Sequence, residues 1–218
     1  MDEIERQVWL DERSGHVTAS RVKDLFRKGK GKEESAMRRN YMAQLIAERQ
    51  QKKSLEEDRR SFWDIKRGER LEPIARVEYE MAKGVIVDTA QFVKHPTIPW
   101  FGCTPDGYVG KDGLVQFKAP VKGKHMDWVL SGVVPAEHKY QMHAELACCI
   151  ERQWNDFGSY DEDFEPHLFV VRLKRDEAEI KRIEAEVLKF NAEIEEIMAR
   201  LSTPLEERLE RSLAQAIR

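Results

Sequence analysis

The sequence predicts one α/β domain, spanning residues 1–218, with helices closing its C-terminal part from 176 to 218. Two observations carry this reading. Short stretches with β-branched alternation, broken by turn residues, fill the middle of the chain, and apolar residues at helical spacing flank them on both sides. No long polar linker and no internal repeat divides the sequence, and 218 residues suffice for one sizeable core.

The elements follow in order. "WLDERSGHVTASRVKDLF" reads as a short helix, a glycine turn, and a second helix capped by Thr18 or Ser20. "KGKGKEES" is a basic loop. "SAMRRNYMAQLIAERQ" and "RGERLEPIARVEYEMAKG" carry apolar residues at helical spacing, and Gly84 stops the second. "VIVDTAQFVKHPTIPWFGCTPDGYVG" and "GLVQFKAP" alternate as strands do. "AEHKYQMHAELACCI" is a compact helix, and "EPHLFVVRL" is a near-continuous apolar strand. From Asp176 to Leu201 apolar residues recur in steps of three and four, which is an amphipathic helix. Thr203, Pro204 and Glu206 then form a capping box that opens a last helix running to Arg218.

Composition narrows the function. A net charge of −3 argues against a protein that coats nucleic acid non-specifically, while leaving room for a local basic groove. No apolar run reaches the roughly 18 residues that read as a membrane span, and "MDEIERQVWL" lacks the order of a signal peptide. Three cysteines give neither a disulfide framework nor zinc spacing, which fits small core residues in a reducing cytoplasm.

The stretch "CTPDGYVGKDGLVQFKAP", Cys103 to Pro120, carries the chemistry. Asp106 follows a proline, and Gln116 and Lys118 stand two apart on a strand, so their side chains share a face. A hairpin through Gly110 to Gly113 brings Asp106 beside them, and the upstream helix bearing Glu69 and Glu72 is placed to add a carboxylate. Hard cations such as Mg²⁺ favour one or two carboxylates plus water and phosphate. Phosphodiester hydrolysis needs such a site to activate water, with a lysine to stabilise developing charge. By spacing alone, a solvated hairpin with alternating charges accounts for the same residues.

Five blocks occur in an order and spacing that resemble the phage lambda exonuclease-like viral recombinase family, of the PD-(D/E)xK nuclease superfamily. They are "WLDERSGHVTAS", "RGERLEPIARVEYE", "CTPDGYV", "LVQFKAP" and "HKYQMHAEL", and they cover about residues 9 to 173. The resemblance implies a restriction-endonuclease-like core with a central mixed sheet flanked by helices. It also implies an exonuclease dependent on Mg²⁺, with Mn²⁺ as a substitute, degrading one strand of linear duplex DNA from the 5′ end. The 3′ single strand goes to a single-strand annealing protein, and the enzyme is a homotrimeric ring in a bacterial host cytoplasm, of phage or prophage origin. By position, Asp106 resembles a metal ligand, Lys118 the catalytic lysine and Glu72 the helix glutamate near the metal. Arg13 and Ser20 match the pair that holds the 5′-phosphate. Thr104 is placed to add a hydrogen bond. Ser20, near a helix start, also has backbone N–H groups facing an anion.

Two positions depart from the family. Gln116 stands at the metal-ligand position where glutamate is usual, and an amide there lacks the charge and one ligand oxygen, so this chain is expected to be weakened or inactive. Glu and Gln have nearly one shape, so the fold is expected to tolerate either. The family's Q-x-Q helix reads Gln141-Met142-His143 here: Gln141 keeps the pattern, while His143 either contacts metal-bound water or phosphate or is a hydrogen-bonded core histidine. Arg21, Lys23, Arg27, Lys28, Lys30 and Lys32 form one basic cluster, and Lys122, Lys124 and His125 another. Both are candidates for DNA backbone contacts. Trp63, Trp100 and Trp128 read as core or rim residues. A repair or restriction-type endonuclease and a catalytically dead DNA-binding module are the alternatives.

Overall fold

A computed structural model describes residues 3–29, 35–55, 62–121 and 123–202. Lys30, Lys32, Lys122, the capping box at Thr203 and the helix expected after it lie outside the described residues, as does the side chain of Trp63.

The elements are α1 (Glu3–Arg13), β1 (Val17–Thr18), a 3₁₀ turn (Ala19–Arg21), α2 (Val22–Leu25), α3 (Ala36–Gln51) and α4 (Phe62–Lys83). Then come β2 (Val87–Asp88), β3 (Val93–Lys94), β4 (Phe101–Cys103), β5 (Gly107–Val109) and β6 (Gly113–Lys118). The chain continues through α5 (Lys124–Ser131), α6 (Ala136–Cys148), β7 (Trp154–Tyr160), β8 (Leu168–Lys174) and α7 (Glu177–Ser202).

Five strands form a mixed sheet in the order β2-β5-β6-β7-β8, and β1-β4-β3 form a second, smaller sheet. The β5–β6 pairing is the expected antiparallel hairpin, with Gly107 opposite Val115. On the other side β6 runs parallel to β7, which requires a crossover, and α5 and α6 supply it. Gly113 opens β6 because any side chain there would collide with the indole of Trp154.

Strand side chains alternate, and β6 uses both faces. Val115 and Phe117 pack under α4 with Leu71, Ala75, Tyr79 and Tyr160. Leu114 faces the larger core built from α2, α3, α6 and α7. Gln116 and Lys118 share the Leu114 face, as their spacing predicts. Helix α7 begins where Asp176 Oδ1 accepts from the N–H groups of Ala178 (2.9 Å) and Glu179 (3.2 Å). Its apolar stripe of Ile180, Ile183, Val187, Phe190 and Ile194 is fully buried against α6, α2 and α3. It therefore forms part of the core, where the sequence suggests a helical extension.

The helix expected after Gly15 is instead a single 3₁₀ turn leading into the four-residue α2. Neither Thr18 nor Ser20 caps it; their hydroxyls lie 3.4 Å from each other. So short a turn presents no sizeable helix dipole, and Ser20 therefore does not sit at an anion-binding helix start.

Candidate active site

Asp106 sits in the turn between β4 and β5, opposite the end of β6. Its Oδ2 accepts the backbone N–H of Phe117 at 2.7 Å, a ladder position beyond the reach of the short β5. The same oxygen accepts a bond from the Gln116 amide nitrogen. Gln116 Oε1 in turn accepts from Gln141 Nε2 at 2.5 Å, and that nitrogen also donates to Glu145 Oε1 at 2.9 Å. Asn155 Nδ2 donates to Glu145 Oε2 at 2.7 Å. A continuous chain of side chains thus runs from Asp106 on the β4–β5 turn through β6 and α6 to β7. Lys118 opens on the same cleft.

Of the two carboxylates in this chain, Glu145 is fully buried and Asp106 partly so. Burial raises the Asp106 pKa, against the opposing pull of Lys118 and the Phe117 N–H. Glu145 is fully buried, and burial followed by the Asp106 charge pushes it up to about 8, despite the bonds from Gln141 and Asn155. The sign of the resulting pH dependence is fixed. Between the ordinary value of 4.5 and about 8, the folded chain retains a proton that the unfolded chain has released, so stability falls as pH rises. Melting of the metal-free protein from about pH 5 to about pH 8 is expected to show a falling Tm, and Glu145→Gln to remove most of that slope. A flat profile in the parent would show that Glu145 is ionised throughout.

The donors fit a hard divalent cation. Asp106, Glu145 and the Gln116 amide oxygen supply the oxygen ligands on one wall of the cleft. Among the described residues no three His, Cys, Asp or Glu side chains converge on one point, but Mg²⁺ needs only one or two carboxylates beside water and phosphate. Asp106 and Gln116 would hold it, with Glu72 at the rim on α4.

These groups line a cleft of about 640 Å³ whose opposite wall is basic. Arg6, Trp9, Leu10 and Arg13 lie on one face of α1, at steps of three and four, and all border the cleft. Arg13 is buried, with its guanidinium 3.9 Å over the Trp9 ring. The Trp9 indole N–H donates to Thr104 Oγ1 at 3.2 Å, tying α1 to the turn that carries Asp106. Ser20, Arg21, Lys23 and Arg27 continue the wall. Arg21 stacks on Tyr41 and pairs with the buried Asp24 at 2.7 Å. His138 shows how the lysines converge: burial first, then Lys118, Lys23 and Lys124, hold its pKa down to about 3. Six cationic and four acidic side chains border the cleft, so a locally positive groove exists in a chain of net charge −3.

Of the residues singled out from sequence, Arg13, Ser20, Arg21, Glu72, Thr104, Asp106, Gln116, Lys118 and Gln141 come together here. His143 does not. Two positions along a helix from Gln141, it points about 200° away, into the seam with α7, where Glu179, Asp176, Lys139 and Arg182 act on it. Its metal or phosphate role is withdrawn. Its Nδ1 is buried without a hydrogen-bond partner, so it is not the satisfied core histidine of the alternative reading either. His125 also leaves the basic cluster, being fully buried between Ser159 Oγ and the Pro166 carbonyl, each at 2.8 Å. Glu145, Arg6 and Trp9 are new. Glu145 stands four residues from Gln141 and so on the same helix face, a spacing visible in "QMHAE".

Comparison with known proteins agrees with this geometry. Residues 8–150 match the YqaJ-like viral recombinase domain. The fold superposes on an alkaline exonuclease (LHK-Exo) from Laribacter hongkongensis with TM-score 0.79 and 38% identity, covering 96% of this chain and 98% of that one. The same protein in complex with dAMP gives 37% identity at the same TM-score and coverage. A phage-related exonuclease from Haemophilus somnus 129PT shares the fold, with TM-score 0.61 and 15% identity over 86% of this chain and 96% of that one. No curated protein matches the sequence. With a family match over well over half its length, and a solved exonuclease more than a third identical along nearly all of it, the chain belongs to the YqaJ-like viral recombinase family.

Proposed function

We propose that the chain is a Mg²⁺-dependent exodeoxyribonuclease acting on linear duplex DNA in the 5′→3′ direction, leaving a 3′ single strand for an annealing protein. The observation that carries this reading is the single cleft in which Asp106, Gln116 and Lys118 face a wall of arginines and lysines. One side has groups for cutting a phosphodiester, and the other has groups for holding phosphates. The family likeness supports a homotrimer and a cytoplasmic setting. Among the described residues no helix is long and apolar enough to cross a membrane.

In this reading Arg13, Ser20 and Thr104 hold the 5′-phosphate. Arg13 offers a planar fork, and the Thr104 hydroxyl keeps its own hydrogen to donate while accepting from Trp9. Arg21 and Lys122 contact the backbone, supplying sequence-independent affinity. Asp106 and Gln116 would hold a divalent cation, which when bound would lower the pKa of water and screen the leaving oxygen. Lys118 stabilises the charge that develops on the phosphate. Gln141 fixes the Gln116 amide, and Gln116 weakens the site by withholding a charge.

One observation favours a second reading, a DNA-binding module without activity. The Gln116 amide donates to Asp106, so an acceptor suited to a metal already has a partner. Incubation with linear and closed-circular duplex in Mg²⁺ separates the readings. Digestion of the linear form alone, faster with a 5′-phosphate than a 5′-hydroxyl, is expected. Cutting of both forms would mean an endonuclease, and binding without digestion a module.

A further inference from the structure

We propose that Glu145 supplies, from α6, the second metal-ligating carboxylate that position 116 on β6 lacks. The inference rests on the metal-dependent reading of the cleft and assigns its charge to the pair Asp106 and Glu145.

Four observations converge. Glu145 lines the cleft that holds Asp106 and Lys118, although the residue is fully buried. A buried carboxylate costs several kcal/mol unless compensated, and an isosteric amide or an apolar side chain avoids that cost. The hydrogen-bonding neighbours of Glu145 are the amides of Gln141 and Asn155, which orient it without neutralising it. The amides of Gln141 and Gln116 link it to Asp106, and Lys118 borders the same cleft. Two acids that repel one another across a shared cleft are what a divalent cation relieves.

Gln116 fits this arrangement as a spacer. Its nitrogen donates to Asp106 and its oxygen accepts from Gln141, the same nitrogen that reaches Glu145. The amide therefore bridges the two acids, where a third carboxylate at position 116 would repel both. The donor count of the site, two carboxylates and an amide oxygen, remains within the range of a Mg²⁺ site completed by water and phosphate.

Calorimetric titration of MnCl₂ into the full chain without DNA tests the assignment on four forms: the parent, Glu145→Gln, Gln116→Glu, and the double variant. Thermal melts check that each is folded. The parent is expected to bind, and Glu145→Gln to weaken Mn²⁺ binding by roughly tenfold or more. The double variant, which returns the acid to β6, is expected to regain affinity. Unchanged affinity in a folded Glu145→Gln overturns the assignment. A parent that binds no Mn²⁺ while Gln116→Glu does would overturn it as well, yet leave the metal-dependent reading standing. Absence of binding in all four forms removes both. If the glutamine form does not fold, Glu145→Asp keeps the charge and withdraws the oxygens by one methylene. Unchanged affinity in that variant overturns the assignment equally.

Discussion

Replacing Asp106 with asparagine is expected to remove Mg²⁺ binding and reduce nucleotide release from linear duplex by more than the roughly 10–100-fold that loss of a metal's outer neighbours costs. The side chain has two duties, and the choice of substitution separates them. Its Oδ2 satisfies the Phe117 N–H, so Asp106→Ala also leaves a buried backbone donor unpaired, at about 1–3 kcal/mol. Asparagine keeps an acceptor of the same shape and loses only the charge. The expected result is therefore a folded protein with a Tm close to the parent's in the asparagine form, a lower Tm in the alanine form, and no cleavage in either. Cleavage that survives in the asparagine form would place the essential carboxylate elsewhere in the cleft.

Gln116→Glu is expected to raise nucleotide release by roughly tenfold or more, since a charged oxygen ligand replaces an amide at the metal. The near-identity of the two shapes suggests a change without effect on stability, but the structure indicates otherwise. Gln116 is 1% exposed and its nitrogen donates to Asp106. Glutamate there turns a bond into a contact between two acids, with the buried Glu145 linked to both through Gln141. The metal-free variant is expected to melt below the parent, and millimolar Mg²⁺ to close the gap by binding the folded form. Equal rates for parent and variant would show that position 116 is not an essential ligand. No digestion by either form would return the protein to the class of binding modules.

The legible and illegible parts of this chain differ for physical reasons. Helices α4 and α7 and the β5–β6 hairpin announce themselves because their buried positions are largely apolar and periodic, and Gly84, at φ +63°, ends α4 as its place predicts. The constellation Asp106, Gln116, Lys118 was visible because strand alternation fixes which side chains share a face. β7 was not visible. "WNDFGSY" buries Asn155, Asp156 and Ser159, so this interior strand beside β6 lacks the apolar alternation that marks other strands. α5 was hidden for a related reason: its one fully buried residue is His125, which in sequence stands among lysines. The motif's second position falls on His143, two residues from Gln141, whereas a helix puts steps of three or four on one face, which reaches Glu145.

The polar interior of β7 also constrains how this sequence can drift. Asp156 accepts from the Tyr79 hydroxyl on α4 and from two nitrogens of Arg172 on β8, at 2.7–2.8 Å. Asn155 holds Glu145 on α6, and Ser159 holds His125 on α5. Each polar residue of the strand is thus married to a partner in a different element. Losing Asp156 strands the Tyr79 hydroxyl in a low-dielectric interior and leaves the half-exposed Arg172 without its carboxylate, whereas exchanging buried partners together for apolar groups is nearly neutral. Among homologues the positions equivalent to Asp156, Tyr79 and Arg172 should therefore change in concert. An alignment that scored each column alone would see three variable polar sites where the fold has one inherited unit.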